Sequence, residues 1–250
     1  MPRRHARLDP PPPPPVSDNA AFFGDMQHLG WQGREQAVLG PIQDDEALLL
    51  YAMIRTTQVR RVAEIGGYQG FSAQNFMAAL RNKGPNATLY TFDVNAVPQQ
   101  RAVGSGPRHI PVVKDARDVN ASDLHHAPLD LLFLDCHDFS ATTALLARLL
   151  GQSMLARDAY VALHDTGLHP IPVFEGSRPI VGNERLWIHQ AAERKIADWL
   201  IHNDFRGHWQ RISFHDDWAA TAPLRYRHGL TLMQRRVEFK RPCPRARCAE

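Results

Sequence analysis

Arg61-Val62-Ala63-Glu64-Ile65-Gly66-Gly67-Tyr68-Gln69-Gly70-Phe71-Ser72 is the stretch on which the reading of this chain turns. The short apolar run 62–65 predicts a buried parallel strand. It breaks at Gly66 and Gly67. After Gly70, the residues Phe71, Met77 and Leu80 recur at helical spacing, with Phe76 beside them. The order is strand, glycine turn, helix. Glycine lets backbone approach a ligand closely and take a positive φ where one is needed. The helix then aims its unpaired N–H groups and positive dipole end at whatever sits in the turn. An anionic group, phosphate or carboxylate, suits that place.

The same alternation continues outward. A helix starts near Gln43-Asp44-Asp45-Glu46, with acidic residues in its first turn, and ends near Thr56. Beyond the glycine turn, strands are predicted over 87–92, 109–113, 131–134 and 159–163, and helices over 141–150 and 184–202. Two late strands, 209–214 and 229–234, imply an antiparallel finish. Repeating β–α units imply a parallel sheet with helices on both faces. The fold class is therefore α/β, doubly wound and mostly parallel.

Composition narrows the setting. The chain has 250 residues, 44% of them hydrophobic, a formal net charge of +3 and three cysteines. That suits one α/β domain with decoration. Nothing resembles a secretory signal or a bilayer span. Cys136, Cys243 and Cys248 do not make a disulfide framework, so a reducing cytoplasm is expected. The basic excess sits in the tails, which argues against nucleic acid as a partner. Residues 1–16 contain the run Pro10–Pro15 and read as a proline-rich leader without a core. Residues 17–58 read as a helical cap, 59–237 as the main domain and 238–250 as a basic tail. Within the main domain, 166–185 is long and rich in Pro and Gly, which suggests a lid over an acceptor pocket. Trp187 and His189 are candidates to complete that pocket.

A dinucleotide site asks for G-x-G-x-x-G. Here Tyr68 stands where the second glycine belongs and hinders close approach to a pyrophosphate. The pattern Glu64-x-Gly66-x-x-x-Gly70-Phe71-Ser72 instead resembles the first motif of class I S-adenosylmethionine-dependent methyltransferases, most closely the catechol-type and macrocin-type sugar O-methyltransferases. The resemblance runs from about Gln36 to Arg235 and implies a seven-stranded Rossmann-like sheet with an antiparallel final strand.

Ligands of open α/β sheets bind at the carboxyl ends of the strands. Those ends here read Glu64, Asp93, Asp115, Asp135 and His164-Asp165. Carboxylates are poor strand formers and avoid burial, so five in succession point to one lined crevice. Asp93 can accept hydrogen bonds from ribose hydroxyls. Ser72 and the amides of Tyr68–Phe71 can hold a methionine carboxylate at the helix start, with Gly66, Gly67 and Gly70 as the glycines of the cofactor turn. By resemblance, Glu64 lies near the methionine ammonium, Asp115 and Ala116 meet the adenine, and Asp135 borders the cofactor.

The segment Leu134-Asp135-Cys136-His137-Asp138 resembles the Asp-x-x-His segment of metal-dependent O-methyltransferases, and Leu163-His164-Asp165-Thr166 resembles their later metal segment. The resemblance implies Mg²⁺ or Mn²⁺ held by Asp135, His164 and Asp165, with His137 or Asp138 as base. His164 stands where relatives have a carboxylate, and imidazole suits Mn²⁺, Fe²⁺ or Zn²⁺ better than Mg²⁺. The histidine at 137 also comes one residue earlier than the family's base. Cys136, His137 and His164 match no structural zinc spacing. The expected function is methyl transfer from S-adenosylmethionine to a hydroxyl of a small molecule, a natural product or sugar, and a homodimer is one option. Alternatives are metal-free O- or N-methyl transfer with His164 or His137 as base, a silent cofactor-binding module, and, more weakly, an RNA methyltransferase.

Overall fold

The computed structural model describes residues 42, 44–100, 106–166, 174–175, 178–179, 183–214 and 229–236, with backbone alone for 44–45, 174–175, 178–179 and 183–192. The elements run α1 (Asp44–Thr56), β1 (Arg61–Ile65), α2 (Phe71–Leu80), β2 (Thr88–Asp93), β3 (Arg108–Val113), β4 (Leu129–Leu134), α3 (Phe139–Gly151), β5 (Leu155–Leu163), β6 (Phe174–Glu175), β7 (Arg178–Pro179), α4 (Asn183–Asn203), β8 (His208–Phe214) and β9 (Leu230–Arg236). The leader 1–16, most of the cap, most of the lid 166–185 and the tail 238–250 lie outside the described residues. So do the side chains of Trp187 and His189.

One seven-stranded sheet has the order β3-β2-β1-β4-β5-β9-β8. Strands β1 to β5 are mutually parallel. β9 inserts between β5 and β8 and is antiparallel to both. This is the expected doubly wound sheet with its antiparallel last strand. The strand order reverses between β1 and β4, which is where such sheets open a crevice.

Strand alternation assigns each face. In β4, Leu131 and Phe133 face the helix pair α1/α2, where Leu50, Ile54, Phe76 and Leu80 are buried. Leu132 and Leu134 face α3/α4, with Leu145, Leu149, Ile196 and Leu200. A strand covered on both sides reads as a continuous apolar run, as 131–134 does. Full burial of each such side chain stabilises the fold by roughly 1.5–3 kcal/mol.

The late strands are tied in by charge. Arg235 on β9 is buried and meets Asp204 through two hydrogen bonds, Nε to Oδ2 at 2.7 Å and Nη2 to Oδ1 at 3.1 Å. Trp209 on β8 donates to the same carboxylate at 3.1 Å, and Arg235 Nη1 donates to the Leu155 carbonyl at 3.2 Å. Both charges are matched, and the arginine links β9, β5 and the end of α4.

Candidate active site

The glycine turn is pressed against the end of the neighbouring strand. Gly66 has φ +91°, and a side chain there would overlap the Asp135 carbonyl. On Gly67 it would overlap the Thr91 methyl group. Gly70 has φ +83° and opens α2. Gly66 N donates to Phe92 O at 2.8 Å, Asp135 N to Ile65 O at 2.9 Å and His164 N to Leu134 O at 3.1 Å. These bonds carry the ladders past the strands and set Asp93, Asp135 and Asp165 along one edge. Three residues other than glycine hold positive φ on that edge, Tyr68 (40°), His137 (53°) and Asp165 (56°). Such backbone is costly, and it gathers at working sites.

On the β1–β3 side the expected cofactor residues lie close together. Asp93 accepts from Tyr68 N at 2.9 Å and Asn95 N at 2.8 Å, so its carboxylate is held across the mouth of the turn. Asp115 accepts from the backbone and side chain of Arg117 at 2.7 and 3.0 Å, beside buried Ala116. Glu64 is wholly buried. Ser72 Oγ donates to its Oε1 and Thr91 Oγ1 to its Oε2 at 2.8 Å. The Ser72 hydroxyl thus faces Glu64 beneath the turn. Behind Thr91 stands His109, 3.0 Å away through Nε2. Its Nδ1 accepts the Gln100 amide at 2.8 Å, which leaves the proton on Nε2. Burial holds His109 down to about 4 and lifts Glu64 to about 7.

Around the ends of β4 and β5, charge is concentrated. Asp135, His137 and Asp165 place one ligand atom each within 4.8 Å of one another. His137 Nε2 lies 3.3 Å from Asp165 Oδ2 and 3.4 Å from Asp135 Oδ1, and its Nδ1 lies 3.7 Å from Glu193 Oε1 on α4. His164, expected as a ligand, is placed differently. It is buried, with Nε2 3.1 Å from Glu46 Oε2 on α1 and Nδ1 3.1 Å from Asp135 Oδ1. Both ring nitrogens are turned to carboxylates, so His164 supports Asp135 from behind, and the imidazole at the cluster is that of His137. The reason is register: His164 follows β5 on the α1/α2 face, whereas Asp165 turns outward at positive φ.

Burial alone would push both imidazoles down. The Glu193, Asp135 and Asp165 carboxylates outweigh it at His137 and lift it to about 9, and Asp165, Asp135 and Glu46 hold His164 well above its ordinary value. Burial raises the Glu193 carboxyl against the opposing pull of His137. Asp138, the other candidate base, caps α3 by accepting Ala141 N at 2.8 Å and pairs with Arg117. The Ala141 amide and then Arg117 hold its carboxyl below its ordinary value, which suits a cap and makes a weak base.

A family model described as a methyltransferase domain matches residues 63–166. Solved structures share the fold at low identity. An SAH-bound methyltransferase from Podospora anserina is 15% identical, with 87% of this chain and 88% of that one covered and a TM-score of 0.54. An O-methyltransferase from Bacillus cereus in complex with SAH is 12% identical, with 89% and 95% covered and a TM-score of 0.50. No curated protein matches the chain in sequence. Residues 63–166 carry a methyltransferase domain, and the chain has the fold of those methyltransferases. The matched segment of this methyltransferase runs from the strand carrying Glu64 to the residue after Asp165. It holds the glycine turn and every strand-end carboxylate, but neither Glu46 nor Glu193.

Sequence reasoning missed those two glutamates. Each sits on the buried stripe of its helix: Glu46 with Leu50, Met53 and Ile54, and Glu193 with Ile196, Ala197 and Leu200. A carboxylate at i before apolar residues at i+3 or i+4 and i+7 is the signal that could have found them. No helix among the described residues is long and apolar enough to cross a membrane.

Proposed function

We propose that this methyltransferase acts on a hydroxyl of a small molecule, a natural product or sugar, assisted by a divalent cation held by Asp135, His137 and Asp165. The observation that carries the reading is the convergence of those three donors at the ends of β4 and β5, one strand from the glycine turn. Two carboxylates and an imidazole fit a mixed oxygen–nitrogen site, which suits Mn²⁺ or Fe²⁺ better than Mg²⁺.

In this reading Asp93 receives the ribose, Asp115 with Ala116 the adenine, and the glycine turn the methionine end of S-adenosylmethionine. Glu64 lies beneath that end as a buried carboxylate suited to a cation. The acceptor enters over β4 and β5, and its oxygen is aligned with the sulfonium methyl. A bound cation would lower the hydroxyl's pKa and stabilise the oxyanion. The S–methyl bond breaks as the oxygen–methyl bond forms, S-adenosylhomocysteine leaves, the hydroxyl proton passes to solvent, and alignment accounts for much of the acceleration. A second reading, without metal, makes His137 the base, since Glu193 stands behind its ring as an orienting carboxylate. Its pKa of about 9 weighs against that, because the ring would already hold a proton in neutral solution.

The test is calorimetry with S-adenosylhomocysteine and NAD, followed by a screen of catechols, sugars and hydroxylated peptides with S-adenosylmethionine. S-adenosylhomocysteine should bind, and the product should carry its methyl on oxygen. Tight NAD binding without a response to S-adenosylhomocysteine, or a product methylated on nitrogen, contradicts the proposal.

A further inference from the structure

Glu193 stands out among the buried polar groups. It is 1% exposed, and neither carboxylate oxygen accepts a hydrogen bond among the described residues. Leaving a buried carboxylate in that state is costly, so its place needs a reason. α4 fixes it there: Ile196, Ala197 and Leu200 on the same stripe are locked into the core. Its Oε1 lies 3.7 Å from His137 Nδ1, while His137 Nε2 faces Asp165 and Asp135 at 3.3 and 3.4 Å. The imidazole therefore lies between one carboxylate behind it and two in front.

We propose that Glu193 is a positioning residue: it takes the Nδ1–H of His137 and so presents the Nε2 lone pair to the cation site. This rests on the cation reading above. On binding a cation the ring releases its Nε2 proton and becomes a neutral imidazole, with one N–H and one lone pair. An acceptor at Nδ1 fixes the tautomer, and a histidine that binds metal regularly gives its other N–H to such an acceptor. The proposal gives a role to a residue of α4, outside the matched segment 63–166. The separation of 3.7 Å closes to hydrogen-bond length with a small turn of the ring, as such contacts do when a site fills.

The test is a titration of the full chain with Mn²⁺, followed by electron paramagnetic resonance, with S-adenosylhomocysteine affinity measured alongside. Two variants separate the possibilities. Glu193→Leu fills the space and removes the acceptor, and replacing a buried charge in this way is tolerated by the fold. Glu193→Gln keeps an oxygen to accept the N–H and removes the charge. Mn²⁺ affinity should fall roughly 10–100-fold in Glu193→Leu. It should stay within about threefold of the parent in Glu193→Gln, as the hydrogen bond survives. S-adenosylhomocysteine affinity should be unchanged in both. Parent-like Mn²⁺ affinity in Glu193→Leu overturns the proposal. So does equal weakness of the two variants, since that makes the charge itself the contributor. A parent protein that takes up neither Mn²⁺ nor Zn²⁺ overturns the cation reading and this inference with it.

Discussion

The pair Arg235–Asp204 and the group around Asp135 and Asp165 are both buried charge clusters at the margin of one sheet, built in opposite ways. In the first, one guanidinium meets one carboxylate through two bonds, Trp209 Nε1 donates to the same carboxylate, and Arg235 Nη1 donates to the Leu155 carbonyl. In the second, four carboxylates from α1, β4, β5 and α4 face two imidazoles. The first arrangement is complete within the chain and fastens strands together. The second places carboxylates near one another, which opposes folding and makes sense as a receptor for positive charge. Backbone geometry follows the same division, with positive φ at His137 and Asp165.

Breaking the matched pair should give the largest effect. Asp204→Ala leaves Arg235 buried without its partner and should cost about 3–5 kcal/mol of stability, read by urea unfolding. A loss under about 1 kcal/mol would show that the pair is not the fastener described. Asp165→Asn is its counterpart. It should lower turnover roughly 10²–10³-fold, about 2.7–4 kcal/mol in the barrier, as when a preorganised charge is removed. The melting temperature of the metal-free protein should hold or rise. A large loss of stability with turnover intact would reverse the two assignments.

Glu64 sharpens the comparison on the cofactor side. Burial lifts its carboxyl from 4.5 to about 7, so the folded state holds this proton more tightly than the unfolded one. Its contribution to stability is full below pH 4.5 and is lost as pH rises through 7. Above that, a buried anion remains, at a cost of about 3 kcal/mol or less. Glu64→Gln should therefore melt higher than the parent at pH 8 in the absence of cofactor and no higher at pH 4.5. Equal melting temperatures at pH 8 would mean that Ser72 and Thr91 already compensate the charge.

What could be read in the sequence follows from what is local. Strand, glycine turn and helix at 61–80 are set by apolar period and by Gly66 and Gly70, so the fold was legible. The strand-end carboxylates were legible because a charge ending an apolar run is conspicuous. Which histidine joins the cluster was not. His137 and His164 lie in similar segments, and only the way the chain leaves β4 and β5 decides that one faces Glu193 and the other Glu46. The two glutamates are harder still, because a helix surface is full of charges. Their location on the buried stripe becomes evident only with the packing of α1 and α4 on opposite faces.

The claim on which the account depends is that cation and acceptor meet over Asp135, His137 and Asp165. The most direct measurement is methyl transfer to the first active hydroxyl acceptor, before and after treatment with a chelator, with metal added back. The account predicts that activity is lost with the chelator and returns with Mn²⁺, and that Asp165→Asn does not recover. Full activity in chelator, with His137→Ala inactive, would contradict it and make His137 the base of a metal-free reaction.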